Sequence, residues 1–256
     1  SAEVGDVIIV PDGTHSLADV TAEQMAADYA VTVNDVLVTS RRGDPKDVVF
    51  DLGGTGHGFT LNAAGARLKG VTFTSSADMT ENANRALFVN VIAGALDACA
   101  FTNIVFNGGN DESSRPVDLA ADGVIENCRF ENLSCTAQNL TRGAVYATGG
   151  LISKTTFRSC NTRPAPVVAT GASLVTVEDC SFTGIRATST ATEANYGAFS
   201  CAKGPDTTEF VARRTVVANN TVPGSAGAVY FNTASDSNKE AHFEDCVFTN
   251  NVAAGD

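Results

Sequence analysis

One short pattern is written into this chain eight times: a small residue, any residue, then an aromatic. It stands as Val48-x-Phe50, Val71-x-Phe73, Cys99-x-Phe101, Cys128-x-Phe130, Thr155-x-Phe157, Cys180-x-Phe182, Thr215-x-Val217, where valine replaces the ring, and Cys246-x-Phe248. Successive copies lie between 23 residues (Phe50 to Phe73) and 35 residues (Phe182 to Val217) apart. Such a period, with residues alternating in and out around each copy, describes a solenoid whose coils stack like positions on one another.

From Val48 onward each coil reads as three strands. The first strands are centred on Thr60, Phe88, Asp118, Tyr146, Val168, Ser200 and Tyr230, with that middle residue pointing outward and its two neighbours inward. The second strands carry an inward ladder of Leu68, Leu96, Ile125, Ile152, Val177, Ala212 and Phe243. Two residues after that ladder stand Gly70, Ala98, Asn127, Lys154, Asp179, Arg214 and Asp245, a set enriched in residues that tolerate a left-handed one-residue bend. The third strand is the aromatic pattern itself. It ends in Asn103, Asn132, Asn219 and Asn250, whose amides are placed to hydrogen-bond along the stack. The loops before each first strand absorb the variation in length.

Residues 1–47 read as an N-terminal cap and first coil, with Thr21-Ala-Glu-Gln24 as a capping box opening a helix over 21–29. Residues 48–256 read as the coils of one all-β domain, about eight in number, wound right-handed by the crossover rule. The chain stops at Asp256, just after a third strand, with no cap. The expectation is a piece of a longer protein that self-associates weakly end to end.

Net charge is −12, which argues against nucleic acid or an anionic membrane as partner. No apolar run approaches the ~20 residues of a membrane span. Cys99, Cys128, Cys180 and Cys246 share one inward position, so they read as free core thiols rather than a disulfide framework. There is no C-x-x-C pair, and the three histidines are scattered at 15, 57 and 242, so neither a metal nor a cofactor is expected.

Gly13-Thr-His-Ser-Leu17 after a valine–proline strand, with Val175-x-Val-x-Asp-Cys-x-Phe182, resembles the pectate-lyase-like right-handed parallel β-helix superfamily over nearly the whole chain. Gly227-Ala-Val-Tyr230 with Phe248-Thr-Asn-Asn251 is similar to repeats of the chlamydial polymorphic outer-membrane proteins, which are surface adhesins. The resemblance implies a substrate groove on the outer face of one sheet. A lyase like those of the superfamily would need calcium-binding carboxylates and an arginine or lysine base there, and a hydrolase two or three aspartates. Asp118 is the one carboxylate in the outward row of the first strands, and it also reads as an ordinary solvated residue. Gly56-His57-Gly58 with Arg67-x-Lys69 is similar to elements of polygalacturonase-like hydrolases, but the aspartates that should precede the histidine are absent.

Arg85, Arg115, Arg142 and Arg163 each come just before a first strand. Stacking would align them along one rim beside Phe88, Tyr146 and Tyr230, a combination suited to sugar rings carrying carboxylate or sulfate. The alternative is that they pair with acidic neighbours such as Glu81, Asp111 and Glu112. The candidate ligand-binding residues are therefore Arg85, Phe88, Arg115, Asp118, Arg142, Tyr146 and Tyr230, with no catalytic residue named. The functional expectation is a secreted or surface-held bacterial binding or adhesion segment, recognising an acidic glycan or a surface receptor. A lyase or glycosidase of acidic polysaccharide and a purely structural stalk are the alternatives.

Overall fold

The computed structural model describes residues 2–21, 23–24, 29–54, 58–78, 87–106, 115–135, 143–162, 165–170, 173–186, 197–201, 209–222, 226–231 and 240–253. They are almost all β-structure, wound as a parallel solenoid. In three coils the first and second strands run together without a break, as Phe59–Lys69, Leu87–Asp97 and Arg115–Glu126. In the next coil they separate, as Val145–Ala147 and Gly150–Ser153. First and second strands consequently share one 14-stranded sheet, and the third strands form a second sheet of nine. Like positions pair in register: Ile125 opposes Leu96 and Ile152, and Phe130 opposes Phe101 and Phe157.

The regular part steps from Leu61 to Val91, Leu119, Ala147, Ala169, Cys201 and Phe231, which is about six turns. The expected eight counted every copy of the third-strand pattern from Phe50 to Phe248, including those at the two ends. The N-terminal helix is also less than expected. Among the described residues it is confined to Glu23 and Gln24, and 22 and 25–28 lie outside them. The capping box itself is made, with Gln24 N donating to Thr21 Oγ1 (3.2 Å) and Thr21 N to Gln24 Oε1 (2.9 Å).

The core is ordered by a column of rings. Phe50, Phe73, Phe101, Phe130, Phe157 and Phe182 are all buried. From Phe73 onward successive centroids lie 4.5 to 5.0 Å apart with interplanar angles of 13° or less. One rung of a parallel ladder sets that spacing. The column ends at Phe182, because Val217 occupies the next position and Phe199 meets Phe182 edge-on instead, at 67°. Phe248, expected as the seventh member, is cut off by Val217 and stands 43% exposed on the last rung.

The bend between second and third strands falls where the sequence placed it. Gly70, Ala98, Asn127, Lys154, Asp179, Arg214 and Asp245 all have positive φ, between 46° and 62°. A second series at the end of the third strand, including Asn103, Asn132, Asn219 and Asn250, does the same. Their amides form the expected ladder in two places, Asn132 to Asn103 (3.3 Å) and Asn250 to Asn219 (3.2 Å).

The residue after the first bend explains why cysteine and threonine share a slot. The carbonyl of Glu126 accepts the backbone N–H of Ala98 from the preceding coil (3.1 Å), which uses one lone pair. Cys128 Sγ donates to the same oxygen (3.2 Å). Thr155 does this to Ser153, Cys180 to Glu178 and Thr215 to Arg213, at 2.8, 3.2 and 3.0 Å. From Cys99 onward the slot holds a small side chain carrying one donor, whereas Val48 and Val71 fill it with a small apolar one. All six cysteines other than Cys135 are free thiols.

Two outcomes follow from this packing. Phe130→Ala, at the middle of the column, is expected to cost about 3–5 kcal/mol in denaturant unfolding. Burial pushes the Cys128 and Cys180 thiols far up, the latter to about 12, so both should resist alkylation without denaturant, with half-buried Cys246 reacting first. Mass-resolved labelling over time reads that order directly.

Candidate functional site

The outward row of the first strands is Thr60, Asn90, Asp118, Tyr146, Val168, Ser200 and Tyr230. It differs from the expected row at one rung, where Asn90 stands in place of Phe88. Val89 and Val91 are the residues that pair with inward Val117 and Leu119, so the triplet begins two residues later than expected. Phe88 is fully buried, its ring stacked on Phe106 with centroids 6.0 Å apart. It is a core residue and offers nothing to a ligand.

Asp118 and Tyr146 are neighbours on adjacent rungs. Arg115, earlier on the strand that carries Asp118, donates through Nε and Nη2 to both Asp118 oxygens. The same guanidinium carbon lies 5.6 Å from the centre of the Tyr146 ring. One edge of the fork meets the carboxylate and the guanidinium lies over the aromatic ring, leaving the side chain 12% exposed. Arg115 thus has an acidic partner in Asp118, while Glu81, Asp111 and Glu112 lie outside the described residues.

Tyr230 is three rungs beyond Tyr146. Between them Val168 and Ser200 are buried although alternation points them outward. The backbone at Gly143 passes over Val168 so closely that a Cβ there would sit 3.0 Å from its Cγ2. Tyr146 and Tyr230 therefore belong to separate surfaces. Arg85, Arg142, Arg163 and His57 lie outside the described residues. The structure brings together Arg115, Asp118 and Tyr146, with Asn90 and Thr60 continuing the row.

A second polar group lies on the outer face of the second strands. Arg67 contacts Asp97 (3.2 Å) and Glu126, and Lys69 reaches Asp97 (3.1 Å). Asn127 donates to Asp97 as well (2.9 Å). Sequence reasoning tied Arg67 and Lys69 to His57 and missed their carboxylates. The signal was present: Lys69, Asp97 and Glu126 each follow a member of the inward ladder, so they must stack. Burial opposes the charge on Asp97, but Asn127, Lys69 and Arg67 outweigh it and hold the carboxyl below its ordinary range. Two cations and two carboxylates saturate one another here, which suits inter-coil adhesion. Among the described residues, no three of histidine, cysteine, aspartate or glutamate converge as metal ligands.

The family described as "Right handed beta helix region" matches residues 57–256. Among solved structures, the chain is similar to pectate lyase Pel9A, 14% identical over all of this chain and 71% of that one, with a TM-score of 0.56. It is more distantly similar to alginate lyase AlyF-OU02 in complex with G6, 12% identical over 93% of this chain and 58% of that one, with a TM-score of 0.40. These are likenesses of fold. No curated protein matches the chain.

The Asp97 cluster sets an acid dependence. A carboxyl whose value is depressed by folding stabilises the native state above the ordinary aspartate value of about 4 and loses that contribution as pH falls through its folded value. Stability measured in urea should drop on acidification below about pH 4, and Asp97→Asn should flatten that part of the profile.

Proposed function

This chain belongs to the right-handed beta helix family, and we propose that it serves as a non-catalytic binding segment, holding an extended glycan or another surface against the outer face of its first strands. Its place is outside the cell, secreted or held at a bacterial surface, in keeping with its strongly acidic balance. The Arg115–Asp118–Tyr146 group carries this reading. Tyr146 presents an aromatic platform whose orientation is held by a guanidinium that is itself clamped, so little side-chain entropy remains to be lost on binding. Asn90 and Thr60 extend the platform with groups that both donate and accept hydrogen bonds. A polymer running across the rungs would meet one such residue per coil.

A polysaccharide lyase or glycosidase is the second reading, and the observation in its favour is the juxtaposition of Lys69 and Arg67 with Asp97 and Glu126. Release of unsaturated or new reducing ends from a polysaccharide, abolished by Lys69→Met, would decide for it.

The binding reading is tested with a glycan array followed by affinity electrophoresis. Tyr146→Ala should weaken retention about tenfold, which is ~1.4 kcal/mol, while leaving the unfolding midpoint close to wild type. Retention unchanged by Tyr146→Ala would remove the first-strand face as the site.

A further inference from the structure

We infer that the glycan held by this face is uncharged, not the acidic polymer that an arginine-lined rim suggests. The inference rests on the reading of this face as a glycan-binding surface and names the class of glycan it takes. An arginine recognises a uronate or sulfate through the edge of its fork, by two parallel N–H donations. In Arg115 one of the two edges of the fork, Nε and Nη2, is already spent on both oxygens of Asp118. Its guanidinium carbon lies over the Tyr146 ring, 5.6 Å from the centre, and the side chain is 12% exposed. For a ligand carboxylate to take that edge it would have to displace one that is covalently tethered three residues away and held at high effective concentration.

The neighbourhood repeats this neutrality. Arg115 and Asp118 cancel, and Thr60, Asn90, Tyr146, Val168, Ser200 and Tyr230 add no charge to the row. On the adjoining face Arg67 and Lys69 are matched by Asp97 and Glu126. The whole chain carries −12, so a polyanion approaches against the long-range field, and among the described residues of the row no exposed cation offsets it. What the row does offer is hydroxyl and amide groups around an aromatic ring, the chemistry that suits sugar hydroxyls and the C–H face of a pyranose.

The experiment compares retention of the whole chain by neutral polymers (glucan, mannan and galactan) and by polyuronates (polygalacturonate and alginate), each at low and high salt. The wild-type chain should be retained by a neutral polymer with little salt dependence and pass the polyuronates freely. Asp118→Asn keeps the side-chain shape, removes the competing charge and releases the fork. It should gain polyuronate retention at least about tenfold, and salt should erase the gain. Salt-sensitive retention of a polyuronate by the wild-type chain, without retention of any neutral polymer, overturns the inference and leaves glycan binding standing. Retention of neither class overturns both. The wild-type comparison decides even if the variant folds poorly, and circular dichroism of Asp118→Asn reports whether it does.

Discussion

A residue at positive φ turns the chain between the second and third strands of coil after coil, and the rest of the solenoid is arranged around that turn. Ala98, Lys154 and Arg214 accept the left-handed conformation with a full side chain, at roughly 1 kcal/mol or more apiece. The return is that the bend has one residue and one geometry. The third strand therefore leaves at the same angle each time, and its inward ring lands one rung above the last. The column from Phe73 to Phe182 follows from this regularity. So does the donor slot, since from Cys99 onward a carbonyl presented at the same place in successive coils is met by a cysteine or a threonine.

The surface follows the same logic with less uniform chemistry. Parallel, in-register stacking forces side chains of successive coils into rows, and a row of like charges would repel along its length. On the second-strand face cations are set among the carboxylates, with Lys69 beside Asp97, Arg67 bridging Asp97 and Glu126 on adjacent rungs, and Arg213 meeting Glu244 (2.8 Å). Each pair is modest on an exposed surface. Their common effect is to let an acidic chain stack without concentrating its charge. The first-strand face solves the same problem with one clamped pair and otherwise neutral residues, and that contrast is what sets it apart as a place to bind.

Much of the architecture was legible in the sequence because it depends on positions that repeat. The inward ladder, the left-handed bends and the asparagine rungs are each one residue type at one phase, and the structure has them where the spacing put them. What went wrong did so where phase alone is insufficient. Phe88 has the parity of an outward residue, yet parity does not say where a strand begins, and the pairing of Val89 and Val91 moved it into the core. Phe248 shares the position of the stacked rings, but Val217 breaks the column one rung before it. In the site, Asp118 and Tyr146 were legible as row members. The clamp by Arg115 was not, since it depends on a side chain folding back along its own strand rather than out toward a ligand.

The in-register ladders also fix how such a chain would respond to load. The backbone hydrogen bonds between coils run along the axis of the solenoid, and only the outermost coil at each end is held by a single neighbouring coil among the described strands. Tension applied through the two termini would peel the outermost coil first, a few bonds at a time, and hand the load to the next. Each peeled coil would release roughly 30 residues of slack, on the order of 100 Å of extended chain. A shaft built this way lengthens under pull in small steps and rewinds when the pull relaxes, so it yields gradually where a sandwich of interlocked strands would hold and then snap.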